Sequence, residues 1–160
     1  MSIKTTVNIS DAKVSDNPAV TLVTYSLGSC IGVCVYDPRS RIGGMLHYQL
    51  PVSKMDPERA KRDPFMFADT GMKILVGKMM SMGASKKRLL IKIAGGASMS
   101  NGPAGFDIGK RNYLALRKIC WMNSLFIDKE DVGGSSPRNM YLNMADGTVT
   151  VKSDGCETQL

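Results

Sequence analysis

Histidine occurs once in the 160 residues, tryptophan once and cysteine four times, and each shortage closes off a class of function. The cysteines stand at 30, 34, 120 and 156, with neither the spacing of a zinc site nor that of a disulfide framework. No metal and no cofactor is therefore expected, and the thiols fit a reducing compartment. Aromatic residues make up 6% of the chain, and Lys and Arg fall in short groups at 54–62, 86–88 and 110–111 without interleaved aromatics. That pattern argues against a single-strand nucleic-acid binder. No apolar run reaches the roughly 18 residues of a spanning helix, and residues 1–5 lack the apolar segment of a signal peptide. No membrane insertion and a cytoplasmic location are the expectation.

A hydrophobic content of 43% with 22% charged residues is ordinary for a globular chain, and 160 residues suit one domain spanning 1–160. The net charge of +7 favours an acidic partner without choosing among nucleic acid, membrane surface and protein.

The most informative stretch runs from Thr24 to His47. Residues 30–37 and 42–50 read as strands, and Asp37-Pro38-Arg39-Ser40 supplies turn chemistry between them. A turn centred on Pro38 and Arg39 sets Cys30 directly across from His47. A register slip of two leaves them diagonal neighbours on the same face. A thiol beside an imidazole is the minimum for nucleophilic catalysis, because the thiolate reacts and a neighbouring histidine can hold its proton. Gly28 and Ser29 just upstream add a bend and backbone N–H groups suited to a developing oxyanion. The plainer alternative is a cysteine serving as a small buried hydrophobe and a histidine satisfied in the core. Spacing alone leaves both open.

Elsewhere, residues 3–11 and 19–25 read as strands and 51–63 as a surface loop. Asp63-Pro64 opens a helix to Met82 that aligns Phe65, Ala68, Met72, Leu75 and Met79, with Gly83 as its stop. A strand over 88–94 leads into the glycine-rich loop 95–105, which has no P-loop signature. Close approach of backbone to a ligand or to the Cys-His pair, with Gly95 and Gly96 as candidates, accounts for so many glycines as well as flexibility does. Asp107 caps a second helix to about Asn123, with Leu114, Ile119 and Met122 among its buried positions. A strand over 125–131 precedes a hairpin, 140–144 and 148–152, turned by Asp146-Gly147 as a two-residue type I′ turn. Residues 153–160 are expected to be a flexible tail. Eight short strands and two main helices in mixed order give an α/β fold.

These motifs together resemble the CheD family of chemoreceptor glutamine deamidases. The likeness rests on TYSLGSC at 24–30, Tyr36-Asp37, GGMLH at 43–47 with Pro51, and Ala68-Asp69-Thr70. It continues through Gly95-Gly96-Ala97, IGKRN at 108–112, DVGG at 131–134 with Arg138, and Asp146-Gly147. The resemblance implies hydrolysis of glutamine side-chain amides in methyl-accepting chemotaxis receptors, giving glutamate and ammonia. It puts the catalytic cysteine on Cys30, the histidine on His47 and a contributing threonine on Thr24. It also implies a sandwich of mixed sheets with helices outside, similar to glutamine-deamidating toxin domains, and the phosphatase CheC as a partner. Thr24 would bond either the imidazole or the substrate amide, and backbone N–H groups around Ser29 and Cys30 would form the oxyanion hole. Two other readings fit the same residues: a catalytically idle module docking on CheC or receptors, and a Cys-His hydrolase of a different amide.

Overall fold

Apolar residues run unbroken through 31–36, and such a strand has to be covered on both faces. The fold does this by placing it at the centre of three layers. The computed structural model describes residues 2–98 and 107–160. In chain order they form β1 (Ile3–Thr6), β2 (Asp11–Ser15), β3 (Val20–Leu27), β4 (Ile31–Asp37), β5 (Ile42–Tyr48), α1 (Pro57–Arg62) and α2 (Ala68–Met82). There follow β6 (Leu90–Gly95), α3 (Ile108–Met122), β7 (Ile127–Val132), β8 (Arg138–Asn143), β9 (Val149–Ser153) and β10 (Cys156–Gln159).

The central sheet has the order β2-β5-β4-β6-β7 and the outer sheet β1-β3-β8-β9-β10. Both are mixed, because β1 runs parallel to β3 and β6 parallel to β7. Ile31, Val33, Val35, Leu46 and Tyr48 cover one face of the central sheet and pack against Met72, Leu75 and Met79 of α2 and Leu116 and Cys120 of α3. Cys34, Tyr36, Met45 and Ala94 cover the other, packing against Leu22, Met140, Leu142 and Val151 of the outer sheet. This bears out a single α/β unit of mixed sheets with two main helices on the outside. No described helix is long and apolar enough to cross a membrane.

Several expectations are corrected. Residues 3–11 form two strands, one in each sheet, because the chain crosses between the sheets after Val7 and turns at Ser10 (φ 56°). Asp63-Pro64 opens only a short 3₁₀ turn. The N–H groups of Gln49 and Leu50 both reach the Met66 carbonyl at 2.9 Å, and Ala68 N–H returns to Leu50 O at 3.0 Å, so α2 starts at Ala68. Within the expected loop 51–63, Asp56 caps α1 through Arg59 N–H and Pro57 takes the first helical position. Leu114 and Met122 are 50% and 65% exposed, since α3 buries Gly109, Asn112, Leu116 and Cys120, a stripe that passes through two non-apolar residues.

The Asp146-Gly147 connection is longer than two residues: Leu142 pairs with Val149, and only Gly147 has positive φ. The Asp-Gly turn with both residues at positive φ is Asp154-Gly155 (50° and 76°). It folds the expected tail back as β10, paired with β9. Of the glycine-rich loop, Gly95 to Ser98 are described, and 99–105 lie outside the described residues.

Candidate active site

The β4–β5 connection fixes what stands opposite His47. Asp37 pairs with Ile42, and its carboxylate accepts from Arg39 N–H at 3.0 Å while its carbonyl accepts from Arg41 N–H at 2.8 Å. The loop therefore spans 38–41, with Arg41 in the left-handed region (φ 58°), and the register is two residues away from a turn centred on Pro38 and Arg39. Gly32, not Cys30, faces His47. Cys30 lies just before β4, as the diagonal neighbour two residues on. In a regular sheet that relation sets Cβ atoms roughly 7 Å apart.

Both side chains belong to the space between the sheets. His47 alternates with Leu46 and Tyr48, which face the helices, and Cys30 packs against the inter-sheet cluster. Gly32, between them, has no side chain, and Leu27 and Met140 close over it: a Cβ there would lie 2.8 Å from Leu27 Cδ1 and 3.0 Å from Met140 Sδ.

Thr24 approaches from the outer sheet. It sits in β3 immediately before a β-bulge, where the pairing steps from Thr24–Met140 to Leu27–Arg138 and Ser26 adopts φ 59°. The extra residue lets Leu22, Thr24 and Leu27 all point inward. The Thr24 hydroxyl lies 2.7 Å from His47 Nδ1 and 2.7 Å from the Val7 carbonyl. A hydroxyl has one proton, and the carbonyl can only accept, so Thr24 donates to Val7 and accepts from His47. This assigns the hydrogen of the neutral imidazole to Nδ1. Nε2 keeps its lone pair, and among the described residues it meets no hydrogen-bond partner.

His47 is 2% exposed, and burial pushes its pKa down to about 4. Burial pushes the Cys30 thiol up to about 11, only partly offset by its own backbone N–H. At neutral pH the resting pair is thiol and neutral imidazole. A thiol in that state becomes a nucleophile only when a base takes its proton as the new bond forms.

The flanking backbone is tightly held. Gly96 N–H donates to Cys30 O at 2.9 Å, Ala97 N–H to Gly28 O at 2.8 Å, and Gly133 N–H to Gly95 O at 3.0 Å. A Cβ on Gly95 (φ 112°) would lie 2.2 Å from Cys30 O, so the expected close approach of backbone is real. Gly28 and Gly96 are nevertheless not oxyanion donors as they stand, because their N–H groups are committed to Ser26 O and Cys30 O. Asn112 of α3 is a contact that sequence reading passed over. It is fully buried, and its Nδ2 donates to Ser29 O at 2.9 Å and Gln49 O at 2.8 Å. The available signal was its place on the 109-112-116-120 stripe, hidden by counting apolar residues alone.

The family model described as "CheD chemotactic sensory transduction" matches residues 49–153. Over 154 residues the chain is 47% identical to the probable chemoreceptor glutamine deamidase CheD of Solibacter usitatus, covering 96% of this chain and 91% of that protein. The chain belongs to the CheD family. A CheD relative from Syntrophus aciditrophicus, also named a probable chemoreceptor glutamine deamidase, is 47% identical with 93% of each chain covered. One from Anaeromyxobacter dehalogenans is 44% identical over 92% of this chain and 93% of its own. The alignments with these CheD proteins extend over nearly the whole chain, whereas the family model begins just after His47.

Proposed function

We propose that this CheD protein deamidates glutamine side chains of chemotaxis receptors, with Cys30 as nucleophile, His47 as base and acid, and Thr24 as the residue that fixes the imidazole. The observation that carries the chemistry is the relay Val7 O, Thr24 hydroxyl, His47 Nδ1–H, which leaves Nε2 as the free basic atom on the face that Cys30 shares. The receptor as substrate comes from the relatives' names.

Cys30 Sγ attacks the glutamine Cδ while its proton passes to His47 Nε2. The tetrahedral oxyanion lies toward the Ser29 and Cys30 N–H groups, each donor worth about 3 kcal/mol if well aimed. Imidazolium returns the proton to the departing nitrogen, the C–N bond breaks, and ammonia leaves a thioester on Cys30. Water then attacks the thioester, giving its proton to Nε2. Collapse expels the Cys30 sulfur, which recovers that proton, and frees glutamate.

The test is intact-mass spectrometry of a receptor cytoplasmic fragment incubated with the protein, with Cys30→Ala and with His47→Ala. A gain of about 1 Da per glutamine with ammonia release, lost in both variants, supports the reading. An unchanged mass with wild-type protein on a receptor that binds it, or full activity in Cys30→Ala, refutes it.

A further inference from the structure

The ladder between β4 and β5 stops at Ile31–Tyr48, and the next residues on each side are Cys30 and Gln49. Beyond the last rung, the Asn112 side chain takes over. One amide nitrogen with two hydrogens spans Ser29 O and Gln49 O at 2.9 and 2.8 Å, and Tyr48 Oη donates to the Asn112 backbone carbonyl at 2.7 Å. The first of these acceptors precedes Cys30 by one residue and the second follows His47 by two. Asn112 therefore ties together, from the helix side of the sheet, the two segments whose other face carries the thiol and the imidazole.

Its cost is visible in the same residue: among the described residues, Oδ1 is buried without a partner. An apolar side chain of similar size would remove that penalty but take the donors from the Ser29 and Gln49 carbonyls, so the amide serves the link it makes and not the packing of α3.

We infer that Asn112 is a positioning residue for catalysis, its amide acting as the missing rung that fixes the spacing of the segments carrying Cys30 and His47. It touches neither reacting atom and acts only through the spacing of the two segments. The inference rests on the Cys30–His47 reading above.

The experiment is a double-mutant cycle read by alkylation of Cys30 with iodoacetamide at pH 7, followed by peptide mass mapping, with Cys156→Ser throughout because Cys156 is exposed. Asn112→Leu keeps the heavy-atom count and branching of the side chain and removes both N–H donors. The expected result is an alkylation rate lowered about tenfold when His47 is present and changed less than about twofold in a His47→Ala background, since spacing matters only if there is an imidazole to reach. With a receptor fragment, kcat falls and KM stays near the wild-type value.

Equal slowing in both backgrounds assigns Asn112 a purely structural role and overturns the inference, as does no slowing in either. If His47→Ala itself leaves Cys30 alkylation unchanged, the Cys30–His47 pairing fails and the inference falls with it. Should Asn112→Leu not fold, Tyr48→Phe breaks the bond from β5 to α3 and goes through the same cycle. Coupling to His47 in the same direction sustains the inference, and zero coupling overturns it.

Discussion

Replacing Thr24 by Val keeps the shape of the side chain and removes one oxygen, and the relay makes the consequences calculable. That oxygen serves two buried partners at 2.7 Å each, the Val7 carbonyl and His47 Nδ1. Leaving the carbonyl unpaired costs about 1–3 kcal/mol. For a chain of this length that corresponds to a drop in Tm of about 3–10 °C. The imidazole has an escape that the carbonyl lacks: it can move its hydrogen to Nε2 and leave a bare Nδ1. Doing so puts an N–H where the thiol needs a lone pair, so the deamidation rate falls about a hundredfold. Because His47 is the only histidine, ¹⁵N NMR of histidine-labelled protein reports this one ring without assignment. With burial holding its pKa near 4, the ring is neutral at pH 7 and its tautomer can be read directly. The wild type should carry hydrogen on Nδ1, Thr24→Val should carry it on Nε2, and Thr24→Ser should resemble the wild type. A wild-type ring with its hydrogen on Nε2 would refute the reasoning outright, whatever the rates.

Acid should destabilise the fold in two steps. His47 takes up a proton near pH 6.5 when unfolded but only near 4 when folded, so between those values the unfolded state binds more protons and stability falls with pH, by up to about 3 kcal/mol. Urea midpoints at pH 7, 5.5 and 4.2 should show this slope, and His47→Gln should flatten it. At Asp37, burial raises the carboxyl pKa, but the Arg88 guanidinium at 2.8 Å and the N–H groups of Ser85 and Arg39 outweigh it and hold it well below the usual range. Its contribution is complete above about pH 4 and is lost below. Arg88→Ala leaves this buried carboxylate with only the N–H groups of Ser85 and Arg39 and should lower the urea midpoint at pH 7. An unchanged midpoint would count against the pair. Gly95→Ala should unfold the protein or abolish activity, because its Cβ meets a backbone oxygen at positive φ. Gly77→Ala is the contrasting control: on an exposed turn of α2 with nothing within 4 Å of its Cβ, it should raise Tm by about 2 °C without changing activity.

The hairpin carrying Cys30 and His47 was legible because β4 and β5 have a strong apolar pattern and a turn rich in Asp, Pro and Ser. Their exact register was not, since it depends on Arg41 entering the left-handed region, which no propensity for arginine announces. The apolar face of α2 was legible at Ala68, Met72, Leu75 and Met79, whereas that of α3 was not, because Gly109 and Asn112 are buried for reasons of close approach and hydrogen bonding. Two nearly identical signals, Asp56-Pro57 and Asp63-Pro64, gave a helix and a mere turn. The difference lies in long-range capture of the second segment by Gln49 and Leu50. The same limit appears at Asp146-Gly147 and Asp154-Gly155, where pairing partners far along the chain decided which became the tight turn.

The site's position follows from where the chain changes sheets. It does so at 7–10, 16–19, 28–30 and 133–137. The last two crossings are joined through the segment after β6, where Ala97 N–H donates to Gly28 O and Gly133 N–H to Gly95 O, and the first reaches β5 through Ser10 N–H to His47 O. A strand interior spends its backbone groups on the ladder, but a crossing leaves some of them over. Here the leftover groups are the Val7 carbonyl that receives Thr24 and the Ser29 carbonyl that receives Asn112. The Cys30 carbonyl beside them is taken by Gly96. Each holds a side chain or a backbone segment of the site in place. The two sheets meanwhile supply Thr24 and His47 from opposite sides of one buried layer, and that burial is what pushes the imidazole pKa down and the thiol pKa up. A polar site thus fits inside an apolar sandwich because interruptions of its ladders leave the Val7 and Ser29 carbonyls free to hold Thr24 and Asn112.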